Sequence, residues 1–188
     1  DNSSLIQLID EYKITAFGAS AKYFSGLEKS HVKSADNLFS LQSLRILFST
    51  GSPLLPEQYH YIYQNIKTDV ALCSISGGTD IIGCFALGNP LLPIYIGQLQ
   101  SRSLGLDVRF YNEYGHEVVG EKAELVCLQP FPSMPIYFWG DADGVKYQKA
   151  YFSKFNNIWA HGDYGELTPE QGVIISGRSD AVLNPGGV

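Results

Sequence analysis

Five consecutive residues, Ser76-Gly77-Gly78-Thr79-Asp80, carry the types of group that bind a phosphorylated ligand. They follow the apolar run 70–74, which reads as a strand delivering polar groups to its carboxyl end. Glycine lets the main chain adopt positive φ and lets a ligand come close to the backbone. Thr79 can hydrogen-bond a phosphate oxygen, and Asp80 can hold a hard cation such as Mg²⁺, directly or through water. Read alone, the stretch favours a plain turn with local Thr and Asp hydrogen bonds.

Other stretches shift that balance. Thr50-Gly51-Ser52-Pro53 precedes it, and His161-Gly162-Asp163 and Gly177-Arg178-Ser179-Asp180 follow. Pro53 stiffens its loop, and Gly51 lets a flat base slide against the backbone, although Gly-Ser-Pro is also an ordinary loop. Asp163 stands at a strand end, where a carboxylate can accept both hydroxyls of a ribose or simply cap a turn. Arg178 can hold phosphate or ribose oxygens bidentately. Its alternative is a surface pair with Asp180, worth little. His161 can titrate near neutrality, but a strand histidine is more often a packing residue. The aromatic residues Phe131, Phe138, Trp139 and Trp159 read as core.

The elements that must position these groups change character along the chain. Residues 5–12 and 20–29 show helical periodicity, with Ser3 or Ser4 able to cap the first helix. Pro56 opens a third helix reaching 67, with Tyr59, Ile62, Tyr63 and Ile66 as its buried stripe. Residues 14–17, 44–48 and 70–75 read as strands between them, an α/β pattern with parallel strands. In an open parallel sheet, ligands bind beyond the carboxyl ends of the strands, where 50–53 and 76–80 both fall. After Thr79 short strands dominate: 81–87, 94–99, 106–111, 123–128, 158–161, 165–167 and 173–176, with a hairpin turn at 112–115 and a short aromatic helix at 147–155. This half reads as a small antiparallel barrel or sandwich, with the change of period near 97–105.

Composition narrows the classes. A net charge of −6 offers no basic field for nucleic acid or for an anionic membrane surface. The apolar region 81–96 is broken by Gly83, Gly88, Pro90 and Pro93, so it is not a membrane-spanning helix, and no signal peptide is visible. Three widely spaced cysteines, Cys73, Cys84 and Cys127, form no CxxC pair. They fit small buried residues in a reducing cytosol. A chain that starts at Asp1 and stops after Pro185-Gly186-Gly187 is expected to be a piece of a larger protein.

In order, the sequence holds Ser-Gly-Gly-Thr-Asp, then Pro132-Ser133-Met134-Pro135 with Phe138-Trp139, then Tyr151-Phe152-Ser153, then Trp159-Ala160-His161-Gly162-Asp163, then Gly177-Arg178-Ser179-Asp180-Ala181-Val182-Leu183-Asn184-Pro185-Gly186-Gly187. This succession resembles the adenylate-forming acyl-CoA synthetases, most nearly the branch that activates acetoacetate. The resemblance implies an AMP-forming acid–thiol ligase using a small carboxylate, ATP, Mg²⁺ and coenzyme A. It implies part of a parallel-sheet α/β subdomain over 1–100, a small antiparallel β-barrel-like subdomain over 101–178, and a hinge over 179–188. By position, Gly51, Ser52 and Pro53 match the loop along the adenine, and Thr79, with Gly78 before it, matches the contact to the α-phosphate. Asp80 takes the place of a Mg²⁺-binding Glu, Asp163 matches the ribose ligand, and Arg178 matches the nucleotide-binding arginine. Asp180 matches the hinge, and Gly187 falls where backbone approaches pantetheine.

Acetate-using relatives carry a Trp two positions before the equivalent threonine, and Gly77 stands there in this chain. The missing indole implies room for a larger acid such as acetoacetate. The family's phosphate loop and its catalytic-lysine domain are not found in these residues, so this stretch alone is expected to have no ligase activity. Two alternatives stay open: a synthetase for propionate or another short acid, and a nucleotide-binding module without chemistry of its own.

Overall fold

The computed structural model describes residues 3–34 and 39–180. The first half alternates helices and parallel strands. Helix α1 (Ser4–Glu11) turns Ile6 and Ile9 into the core and leaves Leu5 and Leu8 partly in water. Strand β1 (Ala16–Ser20) leads straight into α2 (Ala21–Lys29), because the Ser20 hydroxyl accepts the Tyr23 N–H and caps the helix. Strand β2 (Ile46–Thr50) follows, then α3 (Pro56–Tyr61), which continues as a π-helical turn over Ile62–Ile66. Strand β3 (Ala71–Ser74) completes a parallel sheet in the order β1-β2-β3. Phe24, Leu27, Leu47, Tyr59, Ile62 and Leu72 form its core, with Tyr63 at the edge.

β2 and β3 are neighbours in register from Ile46 opposite Ala71 to Ser49 opposite Ser74. Their carboxyl ends therefore open side by side, and the two glycine-containing loops leave from adjacent points.

The second half is antiparallel. Strand β4 (Ser76–Gly78) pairs with β5 (Gly83–Leu87), and β5 with β6 (Ser101–Arg102). A separate four-stranded sheet has the order β10-β9-β8-β7, with β7 at Val108–Tyr111, β8 at Ala123–Cys127, β9 at Trp159–Leu167 and β10 at Val173–Arg178. Helix α4 (Val145–Tyr151) packs on β9. Segments 158–161 and 165–167, which read as two strands, belong to the single strand β9.

The antiparallel half is as expected, with one difference of detail: the four-stranded sheet is open and not closed into a barrel, with β7 and β10 at its edges. Segment 94–99 does not close it. Pro93 has no N–H and Gly97 sits at φ +80°, so only Leu99 reaches β10, in one antiparallel bridge to Val173. The expectation for Trp139 is corrected. It is 96% exposed rather than core, whereas Phe131 and Trp159 are buried and Phe138 packs against them.

Two irregularities matter for the site. Between Glu124 and Val126, two residue steps on β8 face four on β9, from Tyr164 to Ala160. On the other side of β9, the register with β10 shifts between Ile175 and Gly177. Both bulges flank the His161-Gly162-Asp163 stretch, and a bulge re-aims the side chains around it. Among the described residues, no helix is long and apolar enough to cross a membrane.

Candidate functional site

The two halves meet around a cleft of about 1020 Å³, within the size range of small-molecule sites. From the parallel sheet, Thr50, Gly51, Ser52 and Pro53 line one wall as they leave β2. Gly51 takes φ +85°, which a side chain would strain. Ser76, Gly77, Gly78, Thr79 and Asp80 line the next wall. There β4 runs into a 3₁₀ turn over Thr79–Ile81, anchored by the fully buried Ile81. His161, Asp163 and Arg178 complete the lining from β9 and β10. The residues whose types suggested chemistry thus share one cavity. Gly187 lies outside the described residues.

Asp163 is buried, and burial pushes its carboxyl up from the ordinary range, while His161 and Arg178 pull it back. Arg178 Nη1 lies 3.3 Å from Asp163 Oδ1, and Arg178 Nε donates to Asp180 Oδ1 at 3.1 Å. Arg178 is therefore more than a surface partner of Asp180: it joins a buried carboxylate to an exposed one. Hydrogen bonding to Asp180 raises the guanidinium pKa further.

Asp80 is held by helix α4. The Tyr151 hydroxyl, at the end of α4, donates to an Asp80 carboxylate oxygen. The Tyr151 ring stacks flat on Trp159, with centroids 3.6 Å apart and planes 11° apart. Burial first, and the Asp80 carboxylate second, push the Tyr151 hydroxyl well up, so it stays a donor at neutral pH.

Glu124 is the least expected member. It sits fully inside the apolar run of β8 at 2% exposure. Its Oε1 accepts the Gly162 N–H at 3.0 Å and its Oε2 accepts from Lys154 Nζ at 2.6 Å. It thereby fixes the turn between His161 and Asp163, where Gly162 has φ +83°. A charge flanked by Ala123, Leu125 and Val126 is the sequence signal that a partnered buried carboxylate leaves. Tyr151 and His161 had weaker signals, each being one aromatic residue among many.

The geometry changes the meaning of Gly77. A Cβ built there would stand 2.0 Å from the Gly83 carbonyl oxygen and 2.7 Å from Cys84 Cα. Gly77 lines the cleft with its backbone. The space a side chain would take is filled by β5, not left free for an acyl group. The small residue is thus needed for close β4–β5 pairing, and the vacated-indole argument does not hold in this backbone. The cysteine expectation fares differently: burial pushes all three thiols up, away from the reactive thiolate.

No family model matches the chain. It is 52% identical over 188 residues, its whole length, to the acetoacetyl-coenzyme A synthetase of Rhizobium meliloti, and covers 29% of that protein. To the acetoacetyl-CoA synthetase of Xenopus tropicalis it is 50% identical over 185 residues, 98% of this chain and 27% of the relative. The chain therefore spans less than a third of the length of these relatives. Among solved structures, an acetoacetyl-CoA synthetase from Streptomyces lividans superposes with a TM-score of 0.87 at 37% identity, over 98% of this chain and 29% of that one. An anthranilate CoA ligase in complex with anthranoyl-AMP shares the fold at a TM-score of 0.78 and 19% identity, over 100% of this chain and 34% of that one.

Proposed function

We propose that this chain, which belongs with the adenylate-forming acyl-CoA synthetases, supplies the nucleotide cleft of an AMP-forming acid–thiol ligase that converts acetoacetate to acetoacetyl-CoA. The observation that carries this is the shared cleft, which Thr79, Asp80, Asp163 and Arg178 all line. In this reading the acid's carboxylate attacks the α-phosphorus of ATP, forming acyl-adenylate and releasing pyrophosphate. The thiol of coenzyme A then attacks the acyl carbon, and AMP leaves. Such a step depends on fixed reactants and on donors aimed at developing charge.

The roles follow the walls. Gly51, Ser52 and Pro53 border the adenine, and Asp163 accepts the ribose hydroxyls. Arg178 holds nucleotide oxygens, and Thr79, with Gly78, donates to the α-phosphate. Among the described residues, no three His, Cys, Asp or Glu are grouped to hold a metal by themselves. Magnesium bound with ATP needs few protein ligands, because phosphate oxygens and water complete its shell. Asp80, oriented by Tyr151, fits the part of a single supporting carboxylate. The ion would neutralise phosphate charge. The subdomains over 1–100 and 101–178, the hinge at Asp180 and the Gly187 contact to pantetheine belong to the same proposal.

The test is acid-dependent exchange of pyrophosphate into ATP by the full-length protein, across a panel of acetoacetate, acetate and propionate. Exchange led by acetoacetate supports the reading. Exchange led by propionate moves the substrate, and no exchange with any acid removes the ligase assignment.

A further inference from the structure

His161 holds more of this cleft together than its position in a strand suggests. It is 7% exposed and touches elements of both small sheets. From its own strand, Trp159 Nε1 donates to His161 Nδ1 at 3.4 Å. Nδ1 is therefore an acceptor, and the ring proton sits on Nε2. From β4, the glycine backbone comes against the imidazole. Gly78 lies so close that a Cβ there would stand 2.8 Å from His161 Cε1 and 3.1 Å from Nε2. From β5, Phe85 packs edge-on at 4.6 Å between ring centres. Asp163 Oδ2 lies 3.8 Å from Nε2.

We infer that His161 is a positioning residue, an imidazole in the Nε2–H form that fixes the Gly77-Gly78 end of β4 against the strand carrying Asp163 and so sets the spacing between the two parts of the cleft. Its neighbours favour that form. Burial among Phe85, Trp159 and the glycine backbone disfavours the imidazolium, and the Asp163 carboxylate offsets this only in part. Both glycines are required by the arrangement: a side chain at 77 meets β5, and a side chain at 78 meets the imidazole itself. Thr79 and Asp80 follow directly, so a loosened strand end displaces the groups assigned to the α-phosphate and its cation. The inference rests on the ligase reading for what the clamp serves, but the clamp itself is a statement about this chain.

The experiment compares His161→Ala and His161→Gln with wild type in the full-length protein. The Gln amide keeps both a hydrogen-bond donor and an acceptor at this position. Two readouts are taken. Hydrogen exchange of peptides covering 76–80, without ligands, should speed by about tenfold or more in His161→Ala and return towards wild type in His161→Gln. The maximal rate of adenylate formation should fall at least about tenfold in His161→Ala, with a much smaller change in KM for ATP, and recover in His161→Gln, because misplacement acts on the bound complex. Unchanged exchange at 76–80 in His161→Ala overturns the inference. So does equal damage in the two variants, because the Gln amide would then fail to hold the glycine strand although it keeps a donor and an acceptor. If wild type forms no adenylate, the ligase reading falls, and the hydrogen-exchange arm still decides the clamp.

Discussion

Arg178 stands directly across the β9–β10 pairing from Asp163, and its Nη1 lies 3.3 Å from Asp163 Oδ1. The pair joins two groups assigned to one nucleotide, with the guanidinium one-third exposed and the carboxylate nearly buried. Without ligand, each is the other's partner. In the proposed nucleotide complex the carboxylate would accept ribose hydroxyls while the guanidinium keeps it ionised against the cost of burial.

Asp163→Asn keeps the shape and removes the charge. A hydrogen bond to a charged group is worth about 1.5–3 kcal/mol, or roughly ten- to a hundredfold in affinity. Calorimetric titration of the full-length protein with ATP should show that loss, with the melting temperature little changed. Wild-type affinity in Asp163→Asn rules the ribose role out.

Tyr151→Phe removes the hydroxyl that reaches Asp80 and keeps the ring stacked on Trp159. Stability should therefore hold. Groups that hydrogen-bond a metal-binding carboxylate typically matter about ten- to a hundredfold in affinity. The Mg²⁺ concentration giving half-maximal adenylation should rise by about tenfold or more, and an unshifted Mg²⁺ curve argues that Asp80 needs no such support.

Gly77→Ala drives a methyl into the Gly83 carbonyl, whereas Gly18→Ala meets only ordinary contact, with Phe48 Cβ at 3.6 Å. The first change should cost about 1–3 kcal/mol and the second far less. Thermal melts of the two variants side by side make the comparison. If Gly77→Ala melts like Gly18→Ala, the close β4–β5 pairing is wrong.

Glu124→Ala leaves the Gly162 N–H without its acceptor and Lys154 without its carboxylate. An unsatisfied buried donor costs about 1–3 kcal/mol. Glu124→Gln retains an acceptor for Gly162 and should lose much less. Denaturant unfolding followed at the β9 tryptophan orders the two variants, and the reverse order contradicts the assigned hydrogen bond.

The pH dependence of stability should carry a His161 signature. Its folded pKa lies below the ordinary value of 6.5, chiefly through burial. Between those two values the unfolded chain binds the extra proton, so stability is present above 6.5 and is lost as pH falls towards the folded pKa. The difference in unfolding midpoint between wild type and His161→Gln should therefore shrink as pH falls below 6.5. A difference constant from pH 8 to pH 5 shows that the histidine does not titrate there.

The parallel half was legible because each element states its own period. Ile6 and Ile9 recur at helical spacing, Ser20 caps, Pro56 starts a helix, and the strands are short apolar runs between them. The site loops were legible because glycine, hydroxyl and carboxylate side chains cluster where such strands end. Other features depend on tertiary contacts. Ser76–Gly78 is poor in strand-forming residues and becomes β4 only because β5 pairs with it. Trp139 looks like core by type, yet its indole stands almost wholly in water. The parts of His161, Tyr151 and Glu124 appear only when distant strands bring Gly77, Asp80 and Gly162 beside them.

The offsets that β9 makes against β8 and β10 lie inside hydrogen-bonded ladders rather than in connecting loops. Loop lengths drift cheaply over evolutionary time, but a ladder does not stretch. Ser176 is the extra β10 residue between Ile175 and Gly177, and removing it would straighten that ladder and take away the local bend. A residue gained or lost within 159–178 therefore has to be absorbed by the ladders themselves, whereas a substitution at constant length leaves Asp163 and Arg178 paired.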